Sequence, residues 1–372
     1  MRDPCQGRGV RGEGKVKRAF LVLVGLALLA AIGVAVTLYR RTSEPYKGYA
    51  AAEQFVFIEP GSSTRAIGER LIQAGVLRND PTFRAALWRT GRARSLQAGE
   101  FRFDRPMTPV EVIEKIARGD VHNRRITFPE GLTVQEMARI FEQQGFGKAA
   151  AFVEAARDVA AIRDIDPEAA NLEGYLFPET YSLPRDTTAA RLVQLMVGRF
   201  RQLFTPEKQQ AAQALGLTPR QAVTLASLVE KETAVASERP VVAAVYLNRL
   251  KIGMPMQADP TVIYALQRTG RYDGNLRRDD LSFDSRYNTY RYPGLPPGPI
   301  ASPGLGSLEA AVAPASVDYL YFVSRNDGSH VFARTLAEHN ENVRTYQVLY
   351  FREQRAAERA AAEKKTARPA AP

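Results

Sequence analysis

Two carboxylates, Glu230 and Glu232, sit in the otherwise apolar, helix-forming run Leu225–Thr233. An acid held among apolar neighbours resists ionising, so its pKa climbs toward the range useful to a general acid. A solvated acid, or one paired with Lys231 or Arg239, carries no such property, and the spacing leaves both possibilities open. Upstream, Thr218-Pro219-Arg220-Gln221 has the form of a helix start: Thr218 caps, Pro219 takes the first turn and Gln221 closes a capping box. On a helical wheel, Ala222, Leu225, Ala226, Leu228 and Val229 form one broad apolar arc. Glu230 lies at the border of that arc and Glu232 within it. The two acids are about 160° apart on a regular helix, so they cannot address one substrate atom.

Other clusters could contact a polar ligand. Asn171–Tyr181 places Glu173, Tyr175, Phe177, Glu179 and Tyr181 around a Gly/Pro break, and aromatics beside carboxylates suit stacking and hydrogen bonding to sugars. A tight aromatic corner uses the same residues. Gln257, Asp259, Asn288 and Tyr290 lie in two polar loops, and Asp259-Pro260 and Asn288 also fit plain turns. Pro293–Gly304 holds five prolines and three glycines in twelve residues. Such a segment is neither helix nor inner strand, so it is a stiff groove wall or a rigid crossover. His122, His330 and His339 are the only histidines, with no zinc-like spacing, and the reading is that no metal or other cofactor is needed.

These residues need elements to position them. The chain has 372 residues and is 45% hydrophobic, enough for two or three cores. Residues 19–39 lack charge and proline, and ~21 residues of helix span roughly 31 Å, one hydrocarbon layer. Arg2, Arg8, Arg11, Lys15, Lys17 and Arg18 precede this run, which predicts a single-pass anchor with a cytoplasmic N-terminus and everything beyond residue 41 outside the cytoplasm. The run is longer than a signal-peptide core, and no clear small-x-small site precedes Arg40-Arg41. The lone Cys5 precedes it, so the exported part holds no intramolecular disulfide. Six of the eleven net positive charges fall within residues 1–41. The mildly basic remainder suits an anionic polymer but has no Arg/Lys stripe for nucleic acid.

Beyond a short polar stalk, a strand at Val56–Ile58, helices near 64–74 and 81–90 and a strand at Glu100–Phe103 make a β-α-α-β module, which resembles the glycan-binding LysM-like fold. A weak internal repeat follows: strand, Gly61, helix with Ile67 and Leu71, Gly75; then strand, Gly131, helix with Met137 and Phe141, Gly145. Later segments read as helices around Leu225 and Val245, a short helix at Ser307–Ala313, and strands at Tyr319–Val323 and Val331-Phe332. A last helix runs from Leu336 to about Glu358, ahead of a disordered Ala-rich charged tail.

Taken in order, Glu230, Gln257–Thr261, Tyr287–Tyr290 and Gly294–Gly298 behind one apolar helix resemble the YceG-like endolytic murein transglycosylases. The resemblance implies an α+β chain: cytoplasmic segment 1–18, transmembrane helix 19–39, stalk 40–54, LysM-like module 55–124, helix-rich mixed α/β catalytic domain 125–350, and helix end and tail 351–372. It implies an inner-membrane enzyme that cuts peptidoglycan strands between MurNAc and GlcNAc with 1,6-anhydro ends and releases nascent strands from peptidoglycan synthases. It places the catalytic acid at Glu230, sugar contacts at Gln257, Asp259, Asn288, Tyr290, Glu173 and Tyr175, and supporting roles at Glu232 and Arg239. A hydrolase using Glu230 with a second acid and a non-catalytic wall-binding scaffold are the competing readings.

Overall fold

The computed structural model describes residues 13–356 and 358. The basic residues before Glu13, Cys5 and the tail from Arg359 lie outside the described residues. The described chain forms two compact units, one running up to Arg124 together with Ser182–Asp186, the other comprising Arg125–Tyr181 and everything from Thr187.

The first unit begins with α1 (Glu13–Arg41), whose stretch Phe20–Arg41 is apolar, wholly unburied and long enough to cross a membrane. Next, β1 (Gln54–Ile58) leads through α2 (Thr64–Gln73) and α3 (Asp80–Thr90) to β2 (Gly99–Phe103), and α4 (Pro109–Ala117) follows. The expected β-α-α-β order is present, with β1 antiparallel to β2 and Val56 opposite Phe101. Ile58, Leu71, Phe83, Phe101, Val112 and Ile116 close its core. The segment expected as a polar stalk is docked in part. Tyr46 bridges Met107, the Gly48 N–H bonds Gly75 O, and the Tyr49 hydroxyl bonds Phe103 O at 2.9 Å. Pairing of this kind, unreadable from composition, ties the chain down.

β3 (Arg124–Thr127) pairs with β4 (Thr180–Leu183) in a two-stranded sheet. The second unit holds α5 (Val134–Gln143), α6 (Ala149–Ala155), α7 (Ala189–Leu203), α8 (Pro206–Ala214), α9 (Pro219–Glu232), α10 (Arg239–Lys251), α11 (Asp259–Arg268) and α12 (Leu305–Val312). The hairpin β5 (Tyr321–Ser324)–β6 (His330–Ala333) and α13 (Leu336–Val343) complete it. The final helix is not uniform, because Arg344–Leu349 is a π-helical turn. The repeat is real in backbone terms: Gly61, Gly75, Gly131 and Gly145 all have positive φ, a region open to glycine. Capping boxes form at Thr108/Glu111, Thr133/Glu136 and Thr218/Gln221.

Helix α9 is the centre of this unit. Its residues Ala222 to Val229 are all buried, against α10 and α12 among others. Burying a Leu or Val side chain contributes roughly 1.5–3 kcal/mol, so the helix is fixed along its length and its last turn has a defined position.

Candidate active site

That last turn carries Glu230. Its side chain is only 7% exposed. Oε2 accepts the Gly304 N–H at 3.0 Å, and Oε1 lies 3.7 Å from Nη2 of Arg239. The same Nη2 lies 3.5 Å from Oε2 of Glu130, so one guanidinium serves two carboxylates. Glu130 sits in a loop stitched to the Pro-rich segment by Gly131 N–H to Ser302 O at 2.9 Å and Ser302 N–H to Leu132 O at 2.8 Å. Lys231 closes the other side, donating to Gly131 O at 3.1 Å. Burial raises the pKa of Glu130, the neighbouring charge of Glu230 adds to the rise, and Arg239 opposes it. Arg239 Nε and Ser302 Oγ are buried without a hydrogen-bond partner among the described residues, leaving donor capacity unused beside the two acids.

The Pro-rich stretch is enclosed over its second half. Residues 298–304 are buried, and the segment is pinned to α9 by Arg220 Nε to Pro297 O at 2.7 Å and Ile300 N–H to Ser227 Oγ at 3.1 Å. This crossover is what brings the Gly304 N–H to Glu230.

Glu232 faces a different set of groups. It accepts the Tyr246 hydroxyl at 2.7 Å, and burial pushes its pKa up to about 7, with Asp259 adding to the rise and Tyr246, His330 and Arg249 opposing it. Asp259 in turn accepts the Tyr290 hydroxyl at 2.6 Å. The two loops bearing these residues are joined by Thr261 and Thr289, whose hydroxyls meet at 2.9 Å, and by Ala258 N–H to Thr289 Oγ1 at 3.0 Å. Gln257 is exposed beside them with φ 49°, a left-handed backbone unusual for a non-glycine residue.

Asn288, Tyr175 and Arg239 each have defined partners. Asn288 is fully buried: its amide donates to Leu281 O and Phe283 O, and its Oδ1 accepts the Tyr290 N–H. Through these bonds it braces the loop. Tyr175 is 1% exposed, with its hydroxyl on Asp166 at 2.7 Å and its ring edge-on to Phe200. Arg239 lies beside Glu230 and Glu130, and the hydrogen-bonding partner of Glu232 is Tyr246.

Glu173 lies in the lining of a cavity of about 520 Å³ between α5, α6 and α11, with Arg139, Arg157, Arg268 and Tyr272 also around it. Its carboxyl accepts the Val134 N–H at 3.0 Å and the Tyr264 hydroxyl at 3.2 Å. Burial pushes it up to about 7 in spite of those bonds.

The YceG-like family profile matches residues 56–345. This chain belongs to the YceG-like family. It is 32% identical over 305 residues to an endolytic murein transglycosylase of Bacillus subtilis, covering 78% of this chain and 83% of the relative. It is 30% identical over 359 residues to an endolytic murein transglycosylase of Streptococcus pneumoniae, covering 88% of this chain and 65% of that longer relative. A YceG-like protein from Listeria monocytogenes has a similar crystal structure, with TM-score 0.52 and 32% identity over 78% of this chain and 98% of that one.

For a YceG-like chain, sequence reasoning missed Glu130. Its signal was present: an acid directly before Gly131, the glycine that opens the second strand-turn-helix unit. A Cβ on Gly131 would lie 3.6 Å from Glu230 Cγ, so this turn runs close against the catalytic candidate.

Proposed function

We propose that this protein is a membrane-anchored endolytic murein transglycosylase with Glu230 as its acid and base. The observation that carries the proposal is the enclosed Glu230 carboxyl at the end of a rigid helix, held by the Gly304 N–H and facing Arg239. The names of the relatives supply the reaction class. Glu230 gives its proton to the glycosidic oxygen between MurNAc and GlcNAc. The resulting carboxylate takes the proton of the muramoyl 6-hydroxyl, whose oxygen closes on C1 as the 1,6-anhydro ring. The bond to the leaving sugar breaks, no water is consumed, and Glu230 ends protonated as it began. Asp259, Tyr290 and Gln257 contact further sugars, and Glu173, in the lining of a polar cavity, meets a pendant group of the strand.

The apolar stretch Phe20–Arg41 anchors the chain in the cytoplasmic membrane, with the basic segment before it inside and everything beyond residue 41 outside. Cleavage within strands at that location would end the elongation of nascent glycan made by membrane-bound synthases. One observation favours a second reading: Glu130 shares Arg239 with Glu230, and a second carboxylate could activate water for hydrolysis. Detergent-purified full-length protein and Glu230→Gln, incubated with peptidoglycan, separate these readings by mass spectrometry. Transglycosylation gives anhydro ends that vanish in the variant, and hydrolysis gives reducing ends. Equal product from both proteins would remove Glu230 from the chemistry.

A further inference from the structure

We propose that the C-terminal end of α3, with Trp88 at its exposed side, lies in the phospholipid headgroup layer of the membrane crossed by α1. The contact rests on the anchoring part of the proposed function.

Helix α3 buries Thr82, Phe83, Ala86 and Leu87 in the core of the first unit, and its other side carries Trp88 at 84% exposure. An indole left in water forgoes the burial that a large aromatic ordinarily supplies, and Trp favours the boundary between lipid and water because its body is apolar and its N–H polar. The next residue fixes where this side chain sits along the anchor. Arg89 Nη1 donates to Thr42 Oγ1 at 2.8 Å and to Ser43 Oγ at 2.6 Å, immediately past the end of α1. Its guanidinium also lies over the Tyr39 ring, 4.6 Å from the centroid. Tyr39, Arg40 and Arg41 end the apolar stretch, so with α1 across a bilayer they stand at its surface. The Cα of Trp88 is about 3.8 Å from that of Arg89, so its indole starts from backbone held next to the end of the anchor.

Charge points to the same partner. Residues 84–94 hold four arginines and no acid. Arg84 is paired with Asp80 and Arg89 is bound to the end of the anchor, whereas Arg92 and Arg94 are exposed and make no ion pair among the described residues. Guanidinium groups recognise phosphate by charge and by paired N–H donors, and basic residues at a membrane surface bind anionic lipid. An exposed indole flanked by unpaired arginines beside the end of an anchor matches a phospholipid surface. The contact would hold the first unit against the bilayer as well as tethering it there.

Trp88 is the chain's single tryptophan, so its fluorescence can be read in the intact protein. Full-length protein is reconstituted in liposomes of mixed phosphatidylglycerol and phosphatidylcholine carrying nitroxide lipids labelled near the headgroup or deep in the chain. The expected result is blue-shifted emission, quenched at least about twofold more by the shallow label than by the deep one. Arg92→Glu/Arg94→Glu, checked for unchanged circular dichroism, should lose most of that quenching, as should liposomes of phosphatidylcholine alone. Failure to float with the liposomes overturns the anchor and this contact together. Flotation with water-like, unquenched emission overturns the contact and leaves the anchor standing. Emission that responds to added glycan strands and not to the lipid labels assigns Trp88 to sugar binding and overturns the contact likewise.

Discussion

Arg239 Nη2 lies 3.7 Å from Glu230 Oε1 and 3.5 Å from Glu130 Oε2, so a single guanidinium orients two carboxylates from segments a hundred residues apart. The proposed chemistry passes through an anionic Glu230, and a preorganised cation beside that anion stabilises it without rearrangement. Arg239→Gln should therefore lower turnover by roughly 10²-fold, the usual size of losing one such group. Arg239→Lys keeps the charge without the planar fork and should retain more activity than the glutamine variant. Glu130→Gln should cost less, about tenfold, because the Glu130 side chain is 45% exposed and acts beside the reacting acid. Release of anhydromuropeptides by each variant checks this order, with Arg239→Gln below Arg239→Lys; equal activity in all would remove the shared guanidinium from the mechanism.

Gly304 and Gly174 make a contrasting pair. A methyl group on Gly304 would collide with the Glu130 carboxylate, the movable end of a side chain, while the backbone at φ −76° accepts alanine. Gly304→Ala should leave the melting temperature nearly unchanged and reduce activity by displacing Glu130. At Gly174, φ is +84° and the added carbon would strike the Pro299 ring. Gly174→Ala should lower stability by roughly 2–4 kcal/mol, since strain and overpacking combine there. Denaturant melts and product assays on both proteins separate the two effects.

Asn288 and Tyr290 differ in the same way. Asn288→Ala leaves two carbonyls and a backbone N–H without the partners they had inside the protein. At about 1–3 kcal/mol for each unsatisfied buried group, the variant should melt well below the parent. Tyr290→Phe removes one partly exposed bond to Asp259 and should change stability by less than about 1 kcal/mol. If that surface holds sugar, Tyr290→Phe raises KM for glycan strands; an unchanged KM would limit Asp259 and Tyr290 to bracing the two loops.

Much of the frame was legible because it is local. Capping residues at 108, 133 and 218, the glycine turns of the repeat and the apolar span each announce themselves within a few residues. The wheel also separated Glu230 from Glu232, and the two acids do face different partners. What it could not supply was tertiary. Glu130 and Gly304 reach Glu230 across about 100 and 74 residues, and no periodicity encodes such a meeting. Tyr175 was ambiguous for a physical reason, since an aromatic at a Gly/Pro break suits a packed corner as well as a sugar. The π-helical turn at Arg344–Leu349 escapes any reading based on a 3.6-residue period.

Glu173 and Glu232 give the fold a pH dependence of definite sign. Each has its pKa pushed by burial from 4.5 up to about 7. Below about 4.5 both the folded and unfolded chains hold these protons, and neither state gains. Between about 4.5 and 7 the unfolded chain releases them while the folded chain keeps them, so unfolding becomes progressively easier as pH rises; above about 7 the effect levels off. The loss is at most a few kcal/mol for each group. Glu173→Gln keeps an oxygen for the Val134 N–H and an amide for the Tyr264 oxygen, but cannot ionise. It should flatten part of the decline in melting temperature between about pH 5 and 7.5, and Glu232→Gln should flatten another part. Because the two acids have different partners, the double variant should show the sum. A wild-type melting temperature that rises across this window beyond what its other carboxylates explain, or an unchanged slope in the Glu173→Gln variant, would mean that the folded chain already carries Glu173 as the anion.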